Sequence, residues 1–200
     1  GDDANTVGEV GFNPAMIAYP ESLTDPSYAG QILVMTFPLV GNYGVPDTRL
    51  GENGLPLFME SGRIHPKALV VADYSEQYSH WNAKESLASW LKHEQIPAIT
   101  GIDTRRLTKV LREHGVMMGR IVIDGSVCRC ATATSTTEDY GSVNWVEQVS
   151  CKEVITYSPK TNLSPLTSHP SPLKRVVLVD CGVKENIIRC LVRRGIEVVR

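Results

Sequence analysis

Residues 24–37 have the sequence Thr-Asp-Pro-Ser-Tyr-Ala-Gly-Gln-Ile-Leu-Val-Met-Thr-Phe, in which a turn motif leads into an apolar run. Proline pre-sets φ in a turn, and the carboxylate of Asp25 can bond to the backbone ahead of it. The run over residues 31–37 predicts a buried strand. The turn therefore places the hydroxyl of Ser27 at the edge of this strand, where it either contacts a small polar ligand or bonds to its own backbone.

Similar strand-like segments occur on both sides of this run. They cover residues 7–12, 68–72, 96–100, 120–123 and 176–180. Their apolar content and length are typical of strands, and two helical patterns lie among them. Strands interleaved with helices predict an α/β protein, with a mixed β/α domain over residues 1–125.

The first helical pattern follows the pair His80-Trp81. Asn82 is predicted to cap this helix, with Glu85 three residues on as its capping-box partner. Leu87, Trp90 and Leu91 then share one apolar face.

The second helical pattern has clear signals at both ends. Asp103 or Thr104 can cap its start, and Gly115 can end it in a left-handed conformation. Its apolar face is formed by Leu107, Val110 and Leu111. Its other side carries four cations: Arg105, Arg106, Lys109 and Arg112. These cations form either a solvated face or a docking surface for an acidic partner.

The last part of the chain has a different pattern. Residues 175–180 form a near-continuous apolar run, which predicts a strand buried on both faces of a parallel sheet. A helix over residues 184–194 follows, ended by Gly195, and then a second strand over residues 196–199. The buried face of this helix is predicted to consist of Ile187, Ile188, Leu191 and Val192. This is the first β-α-β unit of an open α/β sheet, and residues 173–200 are expected to be the least stable part of the chain, because a lone unit leaves one face without partners.

Between these two parts, residues 126–172 are rich in Ser, Thr and Pro, which predicts a surface loop or linker. The chain is 42% hydrophobic, enough for one sizeable core. Its net charge of −2 and its lack of a long apolar stretch suggest neither a nucleic-acid nor a membrane surface. Five cysteines without a paired framework fit a reducing compartment.

Cys181 is the most conspicuous candidate for a nucleophile. It ends a predicted strand and precedes a helix, as in a nucleophile elbow. The flanking residues lack the small-residue turn of such an elbow, and no histidine follows, since His169 lies upstream in the predicted linker. We interpret Cys181 as a structural thiol.

Other candidate sites have simpler explanations. Cys128, Cys130 and Cys151 lack the second ligand pair of a zinc site, so no metal site is predicted. His65 and His80 have no neighbouring pattern that would make either of them a general base. Gly41-Asn42-Tyr43-Gly44 lacks the lysine of a nucleotide loop and predicts a structural turn. Lys184 either attracts an anion together with the helix N-terminus or is a surface lysine.

Several motifs occur in one fixed order. They are Gly8-Glu9-Val10-Gly11-Phe12-Asn13, Tyr19-Pro20-Glu21, residues 24–28, Gly41-Asn42-Tyr43-Gly44, Gly101-Ile102-Asp103-Thr104-Arg105, Leu107-Thr108 and residues 179–189. Together they resemble the glutaminase half, or small subunit, of glutamine-dependent carbamoyl-phosphate synthetase, in its eukaryotic fused form. The resemblance is nearly end to end and weakens between residues 126 and 172.

The resemblance implies a fold and an activity. It implies a swivelling β/β/α N-terminal domain followed by the start of a glutamine amidotransferase domain. The family makes carbamoyl phosphate from glutamine, bicarbonate and ATP, and its small subunit hydrolyses glutamine through a cysteine thioester. The catalytic cysteine, histidine and glutamate of the family have no counterpart among these residues, so no catalytic residue is assigned. Ser27 matches the serine that contacts bound glutamine.

The resemblance also implies partners and a compartment. The partners are glutamine and a synthetase subunit or fused synthetase half, which uses ATP and Mg; no cofactor is assigned to the present residues. We expect an internal fragment of a longer cytoplasmic protein of pyrimidine synthesis, inactive alone. Two alternatives stay open: a non-catalytic docking module of an ammonia-dependent, urea-cycle type synthetase, and a nucleotide-binding start at the last β-α-β unit, which lacks the glycine fingerprint.

Overall fold

The computed structural model describes residues 5–122, 140–159 and 174–200. Its strands are β1 (Thr6–Asn13), β2 (Ile32–Met35), β3 (Leu39–Val40), β4 (Val45–Pro46), β5 (Ala68–Val70), β6 (Asp73–Tyr74), β7 (Ala83–Glu85), β8 (Ala98–Ile99), β9 (Met118–Ile121), β10 (Thr156–Tyr157), β11 (Lys174–Val177) and β12 (Ile196–Val199). Its α-helices are α1 (Tyr19–Leu23), α2 (Leu87–His93), α3 (Thr104–His114), α4 (Trp145–Val149) and α5 (Glu185–Arg193). Short 3₁₀ turns occur at Pro26–Tyr28 and Tyr140–Ser142. The fold is mixed α/β.

A five-stranded sheet organises residues 5–122, which we call the N-terminal unit. Its strand order is β8-β5-β2-β1-β9, with β9 antiparallel and the other pairings parallel. The strand predicted over residues 31–37 is confirmed as β2, and all of its residues are buried. Because side chains alternate along a strand, Leu33 and Met35 enter one core cluster while Ile32 and Val34 enter another on the opposite face.

Residues 174–200 form a second layer, which we call the C-terminal unit. Its strands β11 and β12 are parallel and joined by α5, so the predicted β-α-β unit is confirmed, and β10 adds an antiparallel strand beside β12. Ile188 and Val198 pack against Leu55 of the N-terminal unit and Tyr157 of β10. Burial of β11 on both faces was a wrong prediction: all four of its residues are exposed, because no core cluster of the described residues includes them.

The predicted start of the first helix is wrong. Ala83–Glu85 pairs with Val45–Pro46 as an antiparallel ladder, so this stretch is extended and Asn82 caps nothing. The helix begins at Leu87 instead, and the Ser86 hydroxyl accepts the Ser89 N–H at 3.1 Å. A pairing with a distant strand thus overrides a local capping motif.

The other two predicted helices are confirmed, with differences in detail. Asp103 caps α3 by accepting the Arg106 N–H at 2.9 Å, and Gly115 ends it at φ 79° and ψ −142°, outside the left-handed helical region that was predicted. In α5, Ile187 was wrongly predicted to face inward: it is 49% exposed. Arg189 is buried instead.

Part of the predicted linker has regular structure. Residues 140–159 contain a 3₁₀ turn, α4 and β10, whereas the rest of the predicted linker lies outside the described residues. Cys128, Cys130 and His169 also lie outside them. In the described part of the chain, no helix is long and apolar enough to cross a membrane.

Candidate functional site

The turn that carries Ser27 is built around a buried carboxylate. Asp25 is buried, and its Oδ1 accepts the backbone N–H of Ser27 at 2.9 Å, which caps the 3₁₀ turn Pro26–Tyr28. The Ser27 side chain is exposed, and its hydroxyl makes no hydrogen bond to another described residue. The backbone is therefore fixed by Asp25 while the hydroxyl of Ser27 stays available to a ligand.

The other oxygen of Asp25 joins the two units. The ammonium of Lys184 lies 2.6 Å from Oδ2 of Asp25. The hydrogen bond to Asp25 raises the pKa of Lys184, so the lysine stays charged. Of the two alternatives weighed from the sequence, the surface lysine is therefore confirmed: 46% of the Lys184 side chain is exposed, and its ammonium is paired with Asp25.

The N-terminus of α5 is capped from the N-terminal unit. Its N-cap residue, Lys184, supplies no side-chain cap. Instead the Glu185 N–H donates to the carbonyl oxygen of Glu60 at 2.9 Å, and the Asn186 N–H donates to Oε2 of Glu60 at 3.1 Å. A carboxylate at a helix N-terminus is favoured by the helix dipole as well as by these bonds, so Glu60 fixes the start of α5.

A buried arginine extends the same contact. The guanidinium of Arg189 donates to the carbonyl oxygens of Pro56 and Met59, the latter at 2.7 Å, and lies 3.8 Å from Oε1 of Glu60. Burying a cation is costly unless its donors are satisfied. These backbone acceptors explain why an arginine occupies the buried stripe of α5.

A second buried carboxylate shapes the loop before α5. Oδ1 of Asp180 accepts the N–H groups of Gly182 and Val183, both at 2.9 Å. Its Oδ2 accepts from the Cys151 N–H at 2.7 Å and lies 2.7 Å from a guanidinium nitrogen of Arg200. Burial alone would raise the pKa of Asp180, but these N–H donors and Arg200 outweigh it and hold the pKa far below its usual range.

The two turns meet at Gly182. A Cβ at this position would lie 3.1 Å from Cβ of Pro26 and 2.7 Å from a methyl carbon of Val149, and the φ of Gly182 is 95°. Only glycine tolerates both the space and the backbone conformation. The turn of Ser27 and the loop 180–183 therefore pack directly on each other, so Ser27 lies at the junction of the two units.

The N-terminal unit corresponds to a known family. The profile described as carbamoyl-phosphate synthase small chain, CPSase domain, matches residues 1–121. The chain belongs to the carbamoyl-phosphate synthase small-chain family. The resemblance inferred from the ordered motifs is thereby confirmed.

Individual relatives of the family match over nearly the whole chain. An arginine-specific small chain of carbamoyl phosphate synthase from Eremothecium gossypii is 49% identical over 193 residues, which are 96% of this chain and 45% of the relative. The multifunctional protein ura1 of Schizosaccharomyces pombe is 43% identical over 215 aligned positions, covering 100% of this chain and 10% of the relative. The mitochondrial ammonia-type carbamoyl-phosphate synthase of Homo sapiens is 43% identical and is covered to 12%. The chain thus spans less than half of the length of these relatives.

The remaining candidates from the sequence lie away from this junction or differ from expectation. Cys181 is exposed rather than packed as a structural thiol. Gly41-Asn42-Tyr43-Gly44 is confirmed as a turn, in which the Gly44 N–H donates to the Gly41 carbonyl oxygen at 3.1 Å. His80 contacts the rings of Tyr43 and Trp81. Across residues 5–122, 140–159 and 174–200, no group of three or more His, Cys, Asp or Glu side chains could hold a metal ion.

Sequence reasoning missed Glu60 and Arg189. Two signals could have found them. Lys184 is a poor N-cap residue, which indicates a cap from elsewhere in the chain. Arg189 follows the inward-facing Ile188 on an otherwise apolar helix face, and a charge in that position requires a buried partner.

Proposed function

We propose that this chain is part of a glutamine-dependent carbamoyl-phosphate synthase of pyrimidine synthesis, where it helps to form the glutamine pocket through Ser27 and docks the glutaminase on the synthetase. Family membership supports the enzyme class. In this proposal residues 174–200 begin the glutamine amidotransferase domain, the N-terminal unit is of the swivelling β/β/α type, and the catalytic cysteine, histidine and glutamate lie in other parts of the protein.

One observation carries the role of Ser27. Its backbone is fixed by Asp25, and its hydroxyl is left without a described partner at the place where the two units meet. A hydroxyl can both donate to and accept from a polar ligand such as glutamine. Because Pro26 touches Gly182 of the C-terminal unit, the turn reaches the edge of the proposed amidotransferase domain.

The proposal assigns ATP and Mg to the synthetase half. It places neither group on the present residues, and Gly41-Asn42-Tyr43-Gly44 has no phosphate-binding lysine. The cytoplasm is the proposed compartment, since Cys151, Cys181 and Cys190 are free thiols, as is usual where thiols stay reduced.

The test is Ser27→Ala in the full-length protein, assayed with glutamine and separately with ammonia as the nitrogen source. Loss of one hydrogen bond to the substrate should raise the KM for glutamine by roughly 3- to 30-fold. Ammonia-driven synthesis of carbamoyl phosphate should be unchanged, because it bypasses the glutamine pocket. Equal losses with both nitrogen sources would show that Ser27 supports folding rather than glutamine binding.

A second candidate is supported by one of the relatives. The human relative at 43% identity is named for ammonia, so identity at this level does not separate the two nitrogen sources. In that case the chain is a docking module without a glutamine-related role. Glutamine hydrolysis by the full-length protein distinguishes the two. Release of glutamate from glutamine supports the first candidate. Synthesis of carbamoyl phosphate with ammonia but not with glutamine supports the second.

A further inference from the structure

Residues 140–151 form a short segment that contacts both units, and we call it the strap. It contains the 3₁₀ turn Tyr140–Ser142 and helix α4. Its composition predicted a linker, yet its side chains make specific contacts on both sides of Ser27. These contacts indicate a positioning role for the strap.

On the N-terminal side, an aromatic pair covers the backbone just after Ser27. The hydroxyl of Tyr140 donates to the carbonyl oxygen of Ala29 at 2.8 Å. The indole of Trp145 lies over Gly30, where a Cβ would come within 2.0 Å of the ring. The two rings stack with centroids 4.7 Å apart, and the indole N–H donates to the Tyr140 carbonyl oxygen at 2.9 Å. Ala29 and Gly30 are therefore held by a rigid pair of rings.

On the C-terminal side, the end of the strap holds the loop that packs on Pro26. Val149 fills the space beside Gly182, which Pro26 also contacts. The Ser150 hydroxyl donates to the Asp180 carbonyl oxygen at 2.7 Å, and the Cys151 N–H donates to the Asp180 carboxylate at 2.7 Å. The strap is thus bonded to the same loop that abuts the turn of Ser27.

Ser27 lies between these two anchor points, with Pro26 before it and Ala29 two residues after it. We propose that Tyr140 and Trp145 are positioning residues that hold the Ser27 turn in the place required for glutamine, an inference that rests on the proposed function. A substrate-binding hydroxyl contacts its ligand productively only if a packed supporting layer holds it within about 0.5 Å of the required position. The strap supplies that layer and also fixes the opposing loop 180–183.

The test uses the full-length protein with Trp145→Leu and Tyr140→Phe. Loosening the turn should raise the KM for glutamine by about 3- to 10-fold, a fraction of the loss that misplacement of a contact group causes. Ammonia-driven turnover should be unchanged. Trp81→Leu is the matched control, because Trp81 is 83% exposed and its ring contacts His80 rather than the strap, and it should leave both activities unchanged. Tyr140→Phe removes one hydroxyl only, so it remains informative if Trp145→Leu fails to fold.

The double variant Ser27→Ala with Trp145→Leu decides whether the strap acts through Ser27. If it does, the KM of the double variant equals that of Ser27→Ala alone, since residues that act as a unit are not additive. Three outcomes would each overturn the inference. In the first, the double variant raises the KM by the product of the two single effects. In the others, the strap variants lose activity equally with glutamine and ammonia, or both leave the KM for glutamine unchanged. An unchanged KM for glutamine in Ser27→Ala would refute the proposed function, and with it the inference. A raised KM in Ser27→Ala together with an unchanged KM in both strap variants would refute the inference alone.

Discussion

The Nζ of Lys184 lies 2.6 Å from one carboxylate oxygen of Asp25, and the other oxygen of Asp25 accepts the N–H of Ser27 at 2.9 Å. One buried carboxylate therefore connects the residue just before α5 to the backbone of Ser27, whose exposed hydroxyl is proposed to bind glutamine. Any movement of α5 relative to the N-terminal unit acts directly on the group that holds Ser27.

Lys184→Met should destabilise the protein by about 1–2 kcal/mol, because it leaves the buried carboxylate of Asp25 without its cation while the Ser27 N–H bond remains. Urea unfolding at pH 7 measures the change. Lys109→Met is the matched control, since Lys109 is exposed on α3 and should change stability by less than about 0.5 kcal/mol. Equal effects of the two substitutions would show that the Asp25 contact contributes no stability.

Local features of this junction could be predicted from the sequence, and its long-range contacts could not. The Asp-Pro turn depends on residues next to each other, so its form and the exposed position of Ser27 follow from the motif. The pairing of Asp25 with Lys184 depends on how the C-terminal unit docks, and nothing in either motif specifies that contact. The sequence therefore left Lys184 with two alternatives, of which its surface position is confirmed, but its partner Asp25 was not predicted.

The same distinction explains the errors elsewhere. Asn82 and Glu85 have the spacing of a capping box, but Asn82 lies in a turn, pairing between β4 and β7 keeps Glu85 extended, and Ser86 becomes the cap. The apolar residues of β11 predicted burial, yet a strand is covered only if other elements pack on it. The strands β2 and β5 were predicted well, because all of their residues are buried and a strand covered on both faces has a continuous apolar run.

Asp180→Asn should destabilise the protein by about 2–4 kcal/mol at neutral pH, because an amide presents N–H donors to the N–H of Cys151 and to Arg200. The low pKa of Asp180 in the folded state determines the pH dependence. Stabilisation by the carboxylate is complete above its unfolded pKa of about 3.9 and is lost as the pH falls below that value towards the folded pKa.

The measurement is the difference in unfolding free energy between the parent protein and Asp180→Asn across pH. This difference should be constant from about pH 8 to pH 5 and should shrink only below about pH 4. Asp73→Asn serves as the control, as Asp73 is exposed. A difference that already shrinks near neutral pH would contradict the low folded pKa of Asp180.

His65→Gln should remove a loss of folding stability that occurs at higher pH than the one caused by Asp180. Burial, and then the nearby Arg63, lowers the pKa of His65 to about 4. Its unfolded pKa is about 6.5, so the unfolded state binds more protons between these values and the parent protein loses stability as the pH falls from about 7 to 4. The imidazole Nε2 lies 2.9 Å from the Ser61 hydroxyl, a contact that the amide of glutamine can replace.

Urea midpoints at pH 7 and pH 5 test this prediction. The stability of the parent protein relative to His65→Gln should be lower at pH 5 than at pH 7. His93→Gln, at an exposed position, should follow the parent protein at both pH values. If His65→Gln loses as much stability on acidification as the parent protein, another group carries the pH dependence.

The C-terminal unit should open before the N-terminal unit. Among the described residues it contributes three buried members, Ile188, Val192 and Val198, to a five-member core cluster, whereas the larger N-terminal cluster has thirteen; Val177 and Val179 are 74% and 83% exposed. Local opening costs less free energy where fewer apolar contacts are lost. Amide hydrogen exchange at pH 7 should therefore be faster at residues 176–179 than in β2, and Lys184→Met should accelerate exchange in α5 without affecting β2. Exchange through residues 176–179 as slow as in β2 would show instead that the contacts of Glu60, Arg189 and the strap join both units into one cooperative structure.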